Sequence, residues 1–152
     1  MVNIRTKGAT AERDICKALN GVLQKVMGRL NYPPDEIEAA ANSIQRNQNQ
    51  TAVGGKDLTN TFGLAIEVKR QESLSINTWW KQCEAAAKRN NEIPVLLYKQ
   101  SRKPWKCIMY MGMTNEHEVL HTARAEVDFD NFLEYFENLV YLKLLQGAHV
   151  RT

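Results

Sequence analysis

Asp57, Glu67 and Lys69 lie within one stretch, Gly54 to Arg70, and their types and spacing suit chemistry on a phosphate. Leu64, Ile66 and Val68 alternate with Ala65, Glu67 and Lys69. That period of two predicts a strand with Glu67 and Lys69 on one face and Val68 on the other. Nine residues separate Asp57 from Glu67, and Thr59-Asn60-Thr61-Phe62-Gly63 among them reads as a turn. A hairpin or bent strand can therefore bring the two carboxylates together, with Gly54 and Gly55 letting the backbone turn into Asp57. Two such carboxylates make a hard, oxygen-rich site suited to Mg²⁺, with Mn²⁺ as a substitute. Lys69, a point charge on a flexible stem, could reach a scissile phosphate, or orient and deprotonate an attacking water. An isolated Glu-x-Lys on a strand more often simply faces water. Here an upstream Asp, an apolar strand and a following helix that carries Gln82 set the tripeptide apart.

The elements that must hold these residues fit a short chain. With 152 residues and 43% hydrophobic content, the sequence predicts one globular domain, 1–152, with a single core. No apolar run approaches the ~20 residues that span a bilayer, and Arg5 and Lys7 are followed by no apolar block. The expectation is a cytoplasmic protein without a membrane partner. Cys16, Cys83 and Cys107 are odd in number and far apart, which argues against a disulfide framework and predicts packing residues in a reducing compartment. The net charge of +3 hides an asymmetry: residues 1–106 carry 17 Lys and Arg against 10 Asp and Glu, residues 107–152 only 3 against 7. A basic body suits a polyanion such as nucleic acid, and equally serves as solubility charge.

Taken in order, Thr10 reads as the N-cap of a helix in which Ile15, Leu19, Val22, Leu23, Val26 and Met27 recur at helical spacing up to about Gly28. Glu12 then falls in the first turn, where the helix dipole favours a carboxylate, or supplies a third carboxylate to the metal site. Arg5, Lys7, Arg13 and Lys17 surround it with charge suited to phosphates. Pro33 to Gln45 predicts a second helix, and Gln45 to Thr51 a polar loop whose amides and Arg46 could contact DNA or simply be solvated, the solvated reading being favoured because no aromatic residue interleaves it. Ser75 or Asn77 caps a helix through about Asn90 that carries Gln82; of the adjacent Trp79 and Trp80, one is expected in the core. Ile93–Tyr98 and Cys107–Met111 read as buried strands joined by a basic turn containing Lys99, Arg102, Lys103, Trp105 and Lys106. His117 and His121 have a metal-like spacing without the supporting ligands of a zinc site. Asp130 opens a last helix whose broad apolar surface, Phe132, Phe136, Leu139, Val140 and Leu144, could pack on the sheet or pair with a second copy.

Lys7-Gly8, Glu12-Arg13, Asp57, Glu67-Val68-Lys69 and Gln82, in that order, resemble the motifs of the PD-(D/E)xK nuclease superfamily, and within it the archaeal-type Holliday junction resolvases and their bacteriophage relatives. The Pro94–Lys99 run and Trp105 extend the similarity to about residue 110. The resemblance implies an α/β fold, a central mixed sheet flanked by helices as in restriction endonucleases. It implies a homodimeric, metal-dependent endonuclease that resolves four-way DNA junctions, working in the cytoplasm of a host cell if phage-encoded. It puts divalent metal at Asp57, Glu67 and the Val68 carbonyl, with Glu12 in support, Lys69 orienting water or contacting phosphate, and Gln82 steadying a carboxylate or phosphate. Lys56, Arg70, Arg102 and Lys103 join Arg5, Lys7, Arg13 and Lys17 as expected DNA contacts. The chain departs from the pattern in two places: Lys56, not Pro, precedes Asp57, and a helical segment occupies 31–55, where strands and a Gly-Ser turn are usual. Another endonuclease of the superfamily, acting on linear or damaged duplex, and a non-catalytic DNA-binding protein of the same fold are the competing readings.

Overall fold

The structure, a computed structural model, describes residues 4–48 and 56–152, with side chains from Lys7 onward. Gly54, Gly55 and the 49–51 part of the expected polar loop lie outside the described residues. Helix α1 spans Ile4–Arg29, α2 Pro34–Ala39, followed by a 3₁₀ turn at Ala40–Asn42. Two short strands, β1 (Gln45–Arg46) and β2 (Leu58–Thr59), pair antiparallel. Strand β3 (Leu64–Arg70), helix α3 (Ile76–Asn90), strands β4 (Ile93–Lys99), β5 (Lys106–Thr114) and β6 (Val119–Asp128) and helix α4 (Phe129–Leu145) complete the chain. The second sheet has the order β3-β4-β5-β6, with β3 and β4 parallel and the other pairs antiparallel. This is the expected mixed α/β fold, with α3 as the crossover that a parallel pair requires.

Helices cover the two faces of the sheet. Ile66, Val68, Val95, Leu97 and Cys107 pack with Ile15, Leu19 and Leu23 of α1 and with Phe132 and Phe136 of α4 in one apolar cluster. Leu96 and Ile108 pack with Trp79, Trp80 and Cys83 of α3 in a second. Buried on both faces, β3 and β4 read as near-continuous apolar runs, as a covered parallel pair should.

Several expectations are corrected. Helix α1 starts at least six residues before Thr10, so Thr10 is no cap and Glu12 lies within the helix, 7% exposed, away from the first-turn dipole. The second helix is much shorter than Pro33–Gln45, because Ile44 turns in to be buried and Gln45 begins a strand. Trp79 and Trp80 are both buried, the first against Tyr98 and the second against Tyr110, since α3 lies across two strands and not one. Strand β6 has no counterpart among the elements expected from the sequence: its residues are exposed or half-exposed, and it is held by its ladder with β5 more than by an apolar face. His117 and His121 are exposed, the second on β6, and belong to no metal-ligating group among the described residues. Phe132, Phe136, Val140 and Leu144 are buried within their own chain, so that face of α4 is not available to a second copy.

One buried polar residue fixes the segment that leads to the site. Asn20 on α1 donates from Nδ2 to the Ile44 carbonyl at 3.0 Å and accepts from the Ile44 N–H at 2.8 Å, satisfying both backbone groups. Asn20→Ala leaves them buried and unpaired, and we expect a loss of about 1–3 kcal/mol in denaturant or thermal unfolding. A loss below about 0.5 kcal/mol would mean that water replaces the amide there.

Candidate active site

Asp57 sits beside the outer edge of β3, on the side away from β4. Its N–H donates to the Ile66 carbonyl at 3.0 Å, and its Oδ2 accepts from the Val68 N–H at 2.7 Å. N–H and C=O of one residue in an extended strand point the same way, so the Val68 carbonyl also faces the Asp57 edge. The turn that allows this return is tight: Asn60, Phe62 and Gly63 all have positive φ, and the buried Thr61 hydroxyl donates to the Leu64 carbonyl at 2.6 Å. Phe62 accepts that strain because its ring packs edge-on against Phe136.

Asp57 and Glu67 are each 8% exposed, which removes the reading of a solvated Glu-x-Lys. The Lys69 Nζ lies 3.4 Å from Glu67 Oε1. Burial first, and then the charge of Glu67, push the Asp57 carboxyl up to about 8, although the Val68 N–H works in the opposite direction. Burial also raises Glu67, against the opposing pull of Lys69, and Glu12 raises it further. Two buried, mutually repelling oxygen donors with a backbone carbonyl on the same edge fit a hard divalent cation, which would relieve both the repulsion and the desolvation. Glu12 is close enough to act on both carboxyls electrostatically, but its Oε2 is held at 2.7 Å by the Nε of Arg46. Among the described residues no three His, Cys, Asp or Glu side chains form a ready cage for an ion.

The other expected residues separate into groups. Arg13 and Lys17 are exposed on α1. Lys7 reaches from α1 to Glu72 at 3.1 Å and to the Ser101 hydroxyl, tying the helix to the basic turn after β4. The side chain of Arg5 lies outside the described residues. By register Lys69 and Arg70 stand opposite Tyr98 and Lys99, so that turn is at the Lys69 end of β3. There Arg102 and Lys103 are exposed, Lys99 lies over the Trp105 ring, and Lys106 pairs with Asp128. The buried Arg70 Nε has no hydrogen-bond partner among the described residues. Lys56 is turned away, its ammonium 2.8 and 2.9 Å from the two oxygens of Glu92 beside the start of β3. Gln82 is exposed on α3 beside Cys83, whose Sγ meets the Ala65 carbonyl, and no hydrogen bond joins Gln82 to the carboxylates among the described residues. Arg46 reads in the sequence as a loop residue that is solvated or meets DNA; no local pattern announces a carboxylate partner 34 residues away.

No helix among the described residues is long and apolar enough to cross a membrane. No curated protein matches the chain. Among solved structures it is similar to the 1.6 Å resolution structure of Hjc, a Holliday junction resolvase from the archaeal hyperthermophile Archaeoglobus fulgidus. The identity is 18%, the match covers 57% of this chain and 73% of that one, and the TM-score is 0.34. A likeness of that size determines neither substrate nor reaction. The family described as "Phage putative PDDEXK endonuclease" matches residues 3–146, and with nearly the whole length covered the chain belongs to that family of nucleases.

Proposed function

We propose that this nuclease is a Mg²⁺-dependent, structure-selective endonuclease that hydrolyses phosphodiesters at four-way DNA junctions. The observation that supports a hydrolytic site best is the pair of buried carboxylates on one strand edge, Asp57 anchored by the Val68 N–H and Glu67 3.4 Å from the Lys69 ammonium. The order of the motifs Lys7-Gly8, Glu12-Arg13, Asp57, Glu67-Val68-Lys69 and Gln82 resembles that of Holliday junction resolvases and suggests a junction as the substrate, while the selectivity itself would come from dimer geometry and groove shape that no short motif encodes.

On this reading Asp57, Glu67 and the Val68 carbonyl would hold the metal. When bound, Mg²⁺ supplies Lewis-acid stabilisation of the phosphoryl oxygens and lowers the pKa of a coordinated water. Lys69, steadied by Glu67, orients the attacking water or contacts the scissile phosphate through its Nζ. Glu12 supports the cluster as a fixed negative charge under Arg46. Arg13 and Lys17 on α1, and Arg70, Arg102 and Lys103 at the far end of β3, grip phosphates on the two sides.

Paired cuts at a two-fold junction are most simply made by two copies of one site, so we assign the active form as a homodimer. With the Phe132 stripe of α4 buried, the exposed apolar residues left to join copies include Leu142 and Leu145 on α4 and Met113, Val119 and Leu120 around the β5–β6 turn. Labelled four-way junction, linear duplex and single strand of matched length, incubated with Mg²⁺, test the substrate. Junction is expected to be cut at least about tenfold faster than duplex, a difference of only ~1.4 kcal/mol in activation free energy. Equal cutting of duplex would leave the nuclease and remove the resolvase. Sedimentation at micromolar concentration tests the dimer: a monomer that still makes paired incisions would defeat it.

A further inference from the structure

Between α1 and the segment 43–48 runs an open groove of about 630 Å³, lined on one wall by Arg13 and Lys17 and on the other by Gln45, Arg46 and Gln48. No acidic residue lines it among the described residues. Arg13 and Lys17 are four residues apart, so their Cα atoms stack one turn, about 6 Å, along the same face of α1. The far wall is preformed, because Asn20 clamps Ile44 from within the protein and Gln24 donates to the Ile37 carbonyl at 2.8 Å. It is also joined to the carboxylate strand. Arg46 pairs with Leu58 across β1 and β2, and the Asn47 N–H donates to the Asp57 carbonyl at 2.8 Å.

Arg46 therefore belongs to both places. Its Nε holds Glu12 at 2.7 Å, behind the groove, while the residue itself lines the groove and remains partly exposed. A guanidinium carries five N–H donors in one plane, so bonding at Nε is compatible with a second anion taken by the fork. Resting on the nuclease reading above, we propose that the groove is a track for one phosphodiester backbone, and that Arg46 bridges a phosphate in it to Glu12. That bridge fixes the strand relative to Asp57 and Glu67. Arg13 and Lys17 serve as point-charge contacts along the track. A lysine at position 46 would supply the charge but not the planar bridge.

The test uses the full chain and a fluorescein-labelled four-way junction in EDTA, with binding followed by anisotropy across a salt series, and single-turnover cleavage in Mg²⁺ at saturating DNA. Each lost phosphate contact lowers the slope of log affinity against log salt by about 0.9. Arg46→Ala should lose about 0.9 in slope and at least about tenfold in cleavage rate; Arg46→Lys should recover the slope and not the rate. The exposed pair Arg13→Ala/Lys17→Ala should lose roughly 1.8 in slope. Unchanged slopes in Arg46→Ala and in the α1 pair would overturn the groove, and full rescue of rate by Arg46→Lys would overturn the bridge. Should Arg46→Ala fail to fold, Arg46→Lys and the α1 pair still decide. Failure here is separable from failure of the nuclease site: Asp57→Asn that still cuts rejects the site whatever the slopes, whereas unchanged slopes beside a dead Asp57→Asn reject only the groove.

Discussion

Asp57→Asn and Glu67→Gln proteins will bind four-way junction DNA within a few-fold of the wild-type affinity and cut it about 10³-fold or more slowly with Mg²⁺ present. The rate loss follows from chemistry that an amide cannot do: it is a neutral, poor ligand for a hard dication, and the Lewis-acid and water-activating contributions go with the ion. Binding survives because the substitutions remove negative charge beside a polyanion, and because the contacts assigned to phosphate lie elsewhere, on Arg13, Lys17, Arg102 and Lys103. Both changes preserve shape. The amide placed at position 57 retains an oxygen that can accept from the Val68 N–H, so the strand edge has no reason to rearrange. Single-turnover cleavage at saturating enzyme, with binding measured separately in EDTA, separates the two effects. Wild-type cutting by either variant would show that the site has been placed on the wrong residues.

The second large effect is a dependence of both stability and metal affinity on pH. Without metal the Asp57 carboxyl is pushed up to about 8 from an ordinary 3.8, by burial and then by Glu67. Its folded-state value exceeds its unfolded one, so the stability linked to it is fully present below about pH 4 and is lost as pH rises through about 8. In EDTA the wild-type melting temperature should therefore fall between about pH 5 and 8.5, while that of Asp57→Asn changes much less. The gap at about pH 8.5 should be roughly 2–4 kcal/mol, or about 4–16 °C at this chain length. The same proton competes with the ion. Mg²⁺ binding at about pH 7 should release close to one proton, and affinity should strengthen toward tenfold per pH unit until about pH 8. Calorimetric titration in buffers of different ionisation enthalpy counts that proton. No release, together with parallel melting curves for the two proteins, would mean that Asp57 is already ionised without metal.

What the amino-acid order determined by itself was local. Alternation from Leu64 to Val68 specified β3 and put Glu67 and Lys69 two residues apart, and the Thr59–Gly63 turn specified that Asp57 returns to that strand. Helical spacing and the apolar stripe set α3 closely: Ser75 or Asn77 to about Asn90 is expected and Ile76–Asn90 is found, with Asn91, which the sequence pattern did not single out, closing it in the left-handed region. These features depend on neighbours a few residues away, which a period can record. The start of α1 was not legible, because Gly8 and Thr10 look like helix boundaries while the first turns are joined to the rest by Lys7, through Glu72 and Ser101, far along the chain. Strand β6 was missed although Ala123, Ala125 and Val127 alternate with Arg124, Glu126 and Asp128, because that face is small and only half-buried and the ladder with β5 holds the strand. Only the tertiary structure decided that Glu67 is buried and not solvated, that Lys56 turns to Glu92, and that the α4 stripe is covered by its own chain. It also decided the pairing of Glu12 with Arg46, 34 residues apart. Each of these depends on which surfaces meet when helices close over a sheet. Charge and burial at such a meeting depend on packing between distant segments, and no period within either segment encodes them.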